Sequence, residues 1–207
     1  FRLARIHFQK GQFDDALEAL ARIKGVVPDK IKDDVEFLRA NVYMATGKPG
    51  DAVRILTQPR TDASLTGFVA YNLGIALLQD GHPQEAIEQL DKAGQLGAGD
   101  PAALAIRDKS NLVLGTMLFE SGNFERARQS LDRVHLEGRF SNQALLRAGW
   151  AEASAKQYDR ALVPWNILAE REPTDVAVQE AMLAVPHAYA SLNLHGRAAI
   201  NYGRALE

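Results

Sequence analysis

The histidines are the first residues to consider for chemistry, because imidazole titrates near neutral pH and binds metal ions. The chain has five of them, and no two stand at the three- or four-residue spacing that places two metal ligands on one helix face. His82 and His195 fall between apolar segments and are expected in solvated turns. His187 falls within an apolar segment and is expected to be hydrogen-bonded in a core or a groove. The histidines therefore predict neither a metal site nor a cofactor.

The acidic pairs, the glycines and the serines also fail to form a catalytic pattern. Asp14-Asp15 and Asp33-Asp34 are expected at helix starts, where negative charge complements the helix dipole. The segment Gly97-Ala98-Gly99 lacks the third glycine and the preceding strand of a phosphate-binding loop. No serine has the context of a nucleophile elbow, and cysteine is absent. We therefore predict that this chain is not an enzyme and has no catalytic residues.

The composition narrows the possible partners. The 207 residues include 24 basic and 26 acidic side chains, which gives a formal net charge of -2. That balance provides no basic surface for nucleic acid, and no run of five or more Lys or Arg suggests an anionic membrane. No apolar run approaches the roughly 18 residues that a membrane span needs. Hydrophobic residues make up 46% of the chain, which is enough for a continuous core.

The segments that would position these side chains repeat along the sequence. In four places a Gly precedes an Ala by five residues, and in two more places Lys156 and Asn193 take the position of the Gly. The six alanines are Ala16, Ala52, Ala86, Ala127, Ala161 and Ala198, spaced by 36, 34, 41, 34 and 37 residues. A Leu or an aromatic residue follows each of them by four. A period near 34 is typical of a helix–turn–helix solenoid.

Each repeat is expected to contain two amphipathic helices, which we call A and B. In the third repeat, apolar residues continue at helical spacing to Gln79, and Asp80-Gly81-His82-Pro83 then ends the A helix. Proline at the start of the B helix is favourable because its fixed backbone suits the first helical position. Gly74 and Ala86 are expected where the two helices cross, since larger side chains would separate the axes. The same pairing recurs at Gly115/Ala127 and Gly149/Ala161.

Three irregularities interrupt the repeat. Pro59 is expected to shorten the second B helix, because proline cannot continue a helix interior. The 41-residue step predicts a loop at residues 96–101, with Asp100 as helix N-cap and a following helix, 101–120, about two turns longer than its counterparts. Pro186 replaces a small residue of the sixth A helix and predicts a kink or a displaced helix start.

This pattern resembles the tetratricopeptide repeat family, whose helix pairs carry small residues at the crossing, Gly in the turn and Pro at the end. The first repeat matches with Ala4, Gly11, Phe13, Ala16, Leu20 and Pro28. The resemblance implies an all-α fold, a right-handed α–α superhelix of about six repeats and about twelve helices. The expected repeats cover approximately residues 1–28, 32–60, 62–97, 101–138, 140–173 and 174–207.

The resemblance also implies a binding surface, because A helices of this family line a concave face. Transferred to this sequence, the face is apolar and aromatic, and such side chains are common interface anchors. The alternative is that several of these side chains only pack between neighbouring A helices. The face also includes Gln143, Leu146 and Glu180. The candidate partner-binding residues are Phe8, Asn41, Met44, Tyr71, Ile75, Leu78, Thr116, Phe119, Trp150 and His187.

One group within the family holds a terminal carboxylate with a clamp of Lys, Arg and Asn side chains. Asn41, Asn72 and Lys109 match three of its five positions. Phe37 and Val113 replace the two other members, which are cations, so a carboxylate would be held weakly. The sequence therefore favours an apolar ligand over an acidic tail.

We expect a protein-interaction scaffold that holds a peptide or helix in an apolar-aromatic groove, with no cofactor, no nucleic-acid partner and no membrane insertion. Two alternatives remain: a structural segment that packs on its own flanks or self-associates as a homo-oligomer, and the non-catalytic repeat region of a larger enzyme. By the repeat register the chain is expected to be a piece of a longer protein. The amino-acid sequences of residues 141–146 and 161–165 loosely resemble those of exported repeat proteins of Gram-negative bacteria. This resemblance favours a periplasmic location over a cytoplasmic one.

Overall fold

The computed structural model describes residues 1–60, 62–97 and 99–205. Within these ranges the chain forms twelve α-helices and one short 3-10 helix, with no β-strand, so the expected all-α fold class is confirmed. Ala98 of the predicted loop, and Leu206 and Glu207 at the end of the sixth repeat, lie outside the described residues. The chain divides into two compact units, Phe1–Leu96 and Gly97–Glu207.

The first unit contains three helix pairs. Neighbouring helices along the chain pack against each other, and the A helices α3 and α5 also touch. A 3-10 turn, Ala63–Leu65, leads into α5. The helices are α1 (Arg2–Gln9), α2 (Phe13–Ala21), α3 (Asp29–Ala45), α4 (Pro49–Leu56), α5 (Thr66–Gln79) and α6 (Pro83–Gln95). α3 begins earlier than residue 32, the expected start of the second repeat.

The second unit also contains three helix pairs. Its A helices α7, α9 and α11 contact one another in sequence, and each B helix packs against the A helix before it. The helices are α7 (Pro101–Glu120), α8 (Phe124–Leu131), α9 (Ser141–Ser154), α10 (Tyr158–Ala169), α11 (Val176–Ser191) and α12 (His195–Arg204). None of the helices in the described ranges combines the length and the apolar character that a membrane-spanning helix needs.

The turns inside the hairpins share one backbone conformation. Gly11, Gly47, Gly81 and Gly122 have φ between 71° and 81°, which glycine adopts without a steric penalty. Lys156 and Asn193 occupy the same position in the last two hairpins with φ of 61° and 59°. The five-residue spacing of the repeat therefore runs from a turn residue with left-handed backbone conformation to the alanine at the crossing of the two helices.

Close packing at that crossing explains the small residues. A Cβ atom built on Gly74 would lie 2.8 Å from Cγ of Leu90, and one built on Gly115 would lie 2.5 Å from Cγ of Leu131. On Gly149 it would lie 2.1 Å from Nε1 of Trp165. In these three A helices the glycine thus makes room for Leu90, Leu131 or Trp165, the bulky residue four positions after the crossing alanine. The alanines Ala86, Ala127 and Ala161 are themselves fully buried.

Most of the expected irregularities are present. α4 has 8 residues where α6 has 13, as the proline at position 59 predicts. α7 has 20 residues against 14 in α5, and the Asp100 side chain accepts hydrogen bonds from the N–H groups of Ala102 and Ala103. Pro186 behaves differently from the expected displaced start, because α11 begins at Val176 and continues through the proline to Ser191.

The acidic pairs separate into two roles. Asp14 and Asp15 lie in the first turn of α2, as expected. The expectation for Asp33-Asp34 was wrong, because α3 begins at Asp29 and the pair falls beyond its first turn. Asp33 instead accepts a hydrogen bond from the Asp62 N–H at 3.1 Å, and its carboxylate lies 3.9 Å from Arg60. Asp33 therefore fixes the segment that leads from α4 to α5.

Candidate protein-binding surface

The predicted face of the first unit is carried by α1, α3 and α5. Phe8 is half-buried because its ring packs on Phe13, with 5.6 Å between ring centroids. Met44 and Ile75 are partly buried, and Leu78 keeps 38% of its surface exposed. Tyr71 is buried to 8% exposure, so its ring contributes mainly to packing within the unit.

The polar side chains on these helices are used locally. Asn41 Nδ2 donates to the carbonyl oxygen of Phe37 at 2.9 Å, and Asn72 Nδ2 donates to that of Phe68 at 2.9 Å. In the second unit, Thr116 Oγ1 donates to the carbonyl oxygen of Leu112 at 2.8 Å. These three side chains lie along their own helices, which is a frequent arrangement for short polar residues in helix interiors.

The predicted face of the second unit includes two aromatic residues that the structure fixes firmly. Phe119 packs on Phe124 with 5.6 Å between ring centroids, which repeats the Phe8–Phe13 contact of the first hairpin. Trp150 meets Trp165 edge-on at 4.9 Å, and its Nε1 donates to Oε1 of Glu180 at 2.7 Å. Trp150 therefore connects the A helices α9 and α11.

A cleft of about 420 Å³ lies between α9 and α11. The predicted face residues Gln143, Leu146 and Glu180 line it, together with Arg139 and Asp175. His187 lies further along α11, exposed and edge-on to the Tyr158 ring at 6.2 Å, so of the two expected settings, core or groove, the core is excluded. The structure brings Gln143, Leu146 and Glu180 together at one cleft and leaves His187 outside its lining.

A hydrogen-bond network fixes one end of this cleft. Asp175 caps α11 through the Ala177 N–H at 2.8 Å and accepts from Asn142 Nδ2 at 2.8 Å. These two hydrogen bonds hold the pKa of the Asp175 carboxyl below its ordinary value of 3.8, and the one from Asn142 has the larger effect. Arg171 donates to Asn142 Oδ1 at 2.6 Å and to Ser141 Oγ at 2.8 Å, so α9, α10 and α11 are tied together at their ends.

Sequence reasoning missed a larger cavity in the same unit. A trough of about 530 Å³ lies between α8 and α10 with α9 as its floor, and we call it the B-side trough. One end holds an ion pair in which Nε of Arg128 lies 2.7 Å from Oε1 of Glu152. The sequence carries a signal for it in Arg128, because the equivalent residue of every other repeat is apolar. Arg128 lies on a B helix, outside the A-helix face that the family resemblance implies.

The structure places no group of three or more His, Asp or Glu side chains where they could hold a metal ion, among the residues that it describes. What remains are stacked helix pairs whose crossings require glycine or alanine and whose A helices carry partly exposed apolar side chains. This arrangement defines an α-helical repeat protein built from hairpins.

The comparison with protein families identifies the repeat. A tetratricopeptide repeat family model matches residues 37–101 and 112–175, and a second one matches residues 1–29. The chain belongs to the tetratricopeptide repeat family. A comparison with curated proteins found no match.

Solved structures agree on the fold. The C-terminal part of a TPR repeat-containing protein from Cytophaga hutchinsonii aligns over 99% of this chain and 77% of its own, with 19% identity and a TM-score of 0.75. The apo form of RapI aligns over 93% of this chain and 58% of its own, with 11% identity and a TM-score of 0.71. A structure of MamA (AMB-1) aligns over 85% of this chain and 91% of its own, with 19% identity and a TM-score of 0.62.

Proposed function

We propose that this chain is a protein-interaction scaffold that binds a peptide or helix of a partner protein through apolar anchors on its A-helix face. The face comprises Phe8, Asn41, Met44, Tyr71, Ile75 and Leu78 in the first unit, and Thr116, Phe119, Trp150 and His187 in the second. The proposal assigns the segment no catalytic role and no cofactor.

One observation carries the proposal. Polar side chains on the A-helix face, such as Asn41 and Thr116, donate to carbonyl groups of their own helices. Met44 and Ile75 are only partly buried, and Leu78 is 38% exposed. A ligand on this face gains more by covering apolar surface than by hydrogen bonding, since burial of apolar surface contributes roughly 25 cal/mol per Å². Carboxylate recognition is correspondingly disfavoured, because Phe37 and Val113 stand where the clamp needs cations.

The test is a selection of displayed peptides on the immobilised chain. Peptides enriched by the unaltered protein are measured by fluorescence anisotropy against the double variant Met44→Gln/Leu78→Gln. We expect affinity to fall about tenfold or more, because truncated apolar anchors dominate interface energies. Tyr71 is left intact, since it is buried and its substitution would disturb folding.

The matched control is Val26→Gln. Val26 is 97% exposed in the segment between α2 and α3, so the same change of side chain is made away from the A helices. We expect Val26→Gln to bind the selected peptides as the unaltered protein does. Peptides that bind the double variant and the control equally well would refute the A-helix face as the binding surface.

Self-association is a second candidate function. α12 exposes Leu194, Ile200 and Tyr202 at 42%, 61% and 43%, and exposed apolar side chains on one helix favour association. Light scattering over a range of concentrations tests it, with Ile200→Gln as the variant. A mass that stays monomeric at all concentrations would exclude this candidate.

We further propose a periplasmic location, with the cytoplasm as the alternative. The absence of cysteine from the sequence is compatible with an oxidising compartment but does not require it. Fractionation of cells that express the natural gene decides between the two compartments.

A further inference from the structure

The B-side trough uses a different stripe of α9 from the A-helix face. Ser141, Ala144, Leu145, Ala148 and Glu152 line the trough. None of them belongs to the set Gln143, Leu146 and Trp150 that α9 contributes to the predicted face. The two surfaces can therefore be altered separately.

α9 differs from α5 and α7 at two positions of this trough, and the equivalent trough over α5, which Leu73 helps to line, measures about 440 Å³. The residue before the crossing glycine is Leu73 in α5 and Leu114 in α7, but Ala148 in α9. The residue three after that glycine is Leu77 in α5 and Leu118 in α7, but Glu152 in α9. All four leucines are buried. Alanine in place of the first leucine leaves the trough wider, at about 530 Å³, and glutamate in place of the second puts a carboxylate at its end.

The preceding helix departs from the pattern at the matching place. The residue after the crossing alanine is apolar in every other repeat, and in the fourth it is Arg128. Arg128 lies 2.7 Å from Glu152 and 3.0 Å from Asp132, so an ion pair stands where other repeats place apolar residues. Ion pairs of this kind contribute little to stability compared with apolar packing. The apolar counterparts of Arg128 are Leu17, Val53, Ile87, Leu162 and Ala199.

Two carboxylates and two arginines line the trough, and Glu125 adds a third negative charge that acts on Glu152. Glu152 is 4% exposed, and among the described residues no group donates a well-directed hydrogen bond to its Oε1. Burial raises the pKa of Glu152, Arg128 opposes the rise, and Glu125 and Asp132 reinforce it. Burial likewise raises the pKa of Asp132. Against these three carboxylates stand Arg128 and Arg160, so an added cation would relieve the excess negative charge.

The length and walls of the trough suit a short helix. The floor extends along α9 from Ser141 to Glu152, which is about 16 Å at 1.5 Å per residue, or three helical turns. The rim keeps large apolar side chains in solvent, with Leu136 at 51%, Val163 at 63% and Ile167 at 40% exposure. Arg171 orders the far end, donating to Ser141 Oγ at 2.8 Å and to the Leu136 carbonyl oxygen at 3.0 Å.

We propose that the B-side trough binds an amphipathic helical segment of a partner protein. The segment presents two apolar side chains one turn apart to Ala148, Val163 and Ile167, and a lysine or arginine to Glu152. Binding of a helix in an apolar groove through anchors at such spacing is a common mode of recognition. The site is independent of the A-helix face and goes beyond the proposed function.

The experiment selects a displayed library of short peptides on the unaltered, intact chain and then measures the enriched peptides against Ala148→Leu. That substitution restores the leucine found at the equivalent position of α5 and α7, so it narrows the trough without introducing a foreign side chain. Circular dichroism and thermal unfolding show that the variant is folded. Val163→Glu, at the exposed rim, is a second variant that does not depend on core repacking.

We expect enriched peptides to carry two apolar residues at i, i+3 or i, i+4 spacing and a Lys or Arg. Their affinity should fall about tenfold or more on Ala148→Leu and on Val163→Glu, fall several-fold on Glu152→Gln, and stay unchanged on Leu78→Gln. The proposal is overturned if no enriched peptide depends on Ala148 or Val163, or if the enriched peptides carry acidic residues instead. If Met44→Gln/Leu78→Gln bound the peptides selected for the A-helix face without loss of affinity, the proposed function would fail, but the result for the B-side trough would stand.

Discussion

Gly149 is the residue with the least freedom to change. A Cβ atom there would lie 2.1 Å from Nε1 of Trp165, whose side chain is fully buried and whose Nε1 donates to the Leu146 carbonyl oxygen at 3.2 Å. Because neither the indole nor the helix can move without breaking other contacts, Gly149→Ala should destabilise the protein by about 1–3 kcal/mol, the usual cost of overpacking. Urea unfolding followed by circular dichroism measures the change.

The matched control for that prediction is Gly203→Ala. Gly203 lies within α12 and has no heavy atom within 4 Å of the position that a Cβ would take. Alanine should stabilise this exposed helical position by about 0.5–1 kcal/mol, since glycine loses more backbone entropy in a helix. If both substitutions changed stability in the same direction, crowding at Gly149 would not be the cause.

Asp175 should make stability depend on pH in the acidic range. The hydrogen bonds from Asn142 and Ala177 hold its pKa below 3.8 in the folded protein, so its contribution is fully present above that value and is lost as the pH falls through the folded pKa. Asp175→Ala should cost about 1 kcal/mol at neutral pH, as loss of a helix cap does. The difference from the unaltered protein should shrink below pH about 3.8.

Denaturant unfolding at several pH values measures this effect. Glu137→Gln is the control, because Glu137 is an exposed carboxyl between α8 and α9. A difference between Asp175→Ala and the unaltered protein that stayed constant from neutral pH to pH about 2 would contradict the assigned shift.

Single residues with reactive side chains were the easiest to interpret from the sequence, but they were the least informative about the fold and the binding surface. The helix-cap role of Asp100 followed from its place before Pro101, because capping depends on neighbours along the chain. The role of Asp33 did not, since its partners Arg60 and Asp62 lie in the next interhelical segment. Likewise the exposure of His187 depends on how α10 and α11 pack, which no local pattern of residues specifies.

At the scale of the helical hairpin, the turn residue of the fifth repeat carries strain that the four glycine turns avoid. Lys156 has φ of 61° where four other hairpins have glycine. A side chain in the left-handed backbone conformation costs about 1–2 kcal/mol. Glycine avoids this cost, but part of the gain is lost because glycine raises the conformational entropy of the unfolded chain. Lys156→Gly should therefore stabilise the protein by up to about 1 kcal/mol. Lys156→Ala removes the same side chain but keeps the Cβ, and it should bring no gain in thermal unfolding.

The ion pair between α8 and α9 should be dispensable for folding if both members are replaced. Arg128→Leu alone leaves Glu152 buried without its cation and should cost about 1–3 kcal/mol, below the about 3–5 of fully buried pairs because Arg128 is partly exposed. Arg128→Leu/Glu152→Leu restores the apolar pair of the other repeats and should match or exceed the unaltered stability. A double-mutant cycle by urea unfolding measures the coupling.

The same pair predicts a pH effect opposite to that of Asp175. Burial raises the pKa of Glu152 above 4.5, so its ionisation opposes folding. The folded state is favoured below pH 4.5, and this contribution is lost as the pH rises through the folded pKa. Glu152→Leu should remove that slope. A slope that persisted in the variant would have to come from another group, such as Asp132.

The hairpins could be predicted because their geometry is local. The turn residue, the crossing alanine and the bulky residue four later all lie within one hairpin, so their spacing is visible in one stretch of sequence. Helix α11 shows the limit of such reasoning: Pro186 predicted a kink or a displaced helix start, yet the helix already begins at Val176, where Val178, Val185 and Ala188 pack it into the core of the unit. The B-side trough depends on residues of three helices, and no single hairpin reveals it.

At the scale of the whole molecule, the division after Leu96 should define two parts that fold separately. Each part consists of complete hairpins, and the stability of repeat arrays is approximately a sum over repeats and their neighbouring interfaces. The first unit contains a cluster around Leu20, Val35 and Val42, and the second contains one around Trp165, Leu168 and Val178. We therefore expect fragments Phe1–Leu96 and Gly97–Glu207 each to be helical by circular dichroism and to unfold cooperatively in urea.

The prediction requires the chain to be cut between hairpins, so a fragment cut inside a hairpin is the control. A fragment Gly97–Lys156 ends between α9 and α10, so it retains Gly149 but loses Trp165, the side chain that fills the crossing. Trp165 and Leu168 are fully buried, and their loss exposes the apolar face of α9 to water. This fragment should lose its fifth repeat and show a lower urea m-value per residue than Gly97–Glu207, because m scales with the surface that unfolding exposes. Equal m-values per residue would mean that α9 stays folded without α10, and the hairpin would then not be the folding unit of this chain.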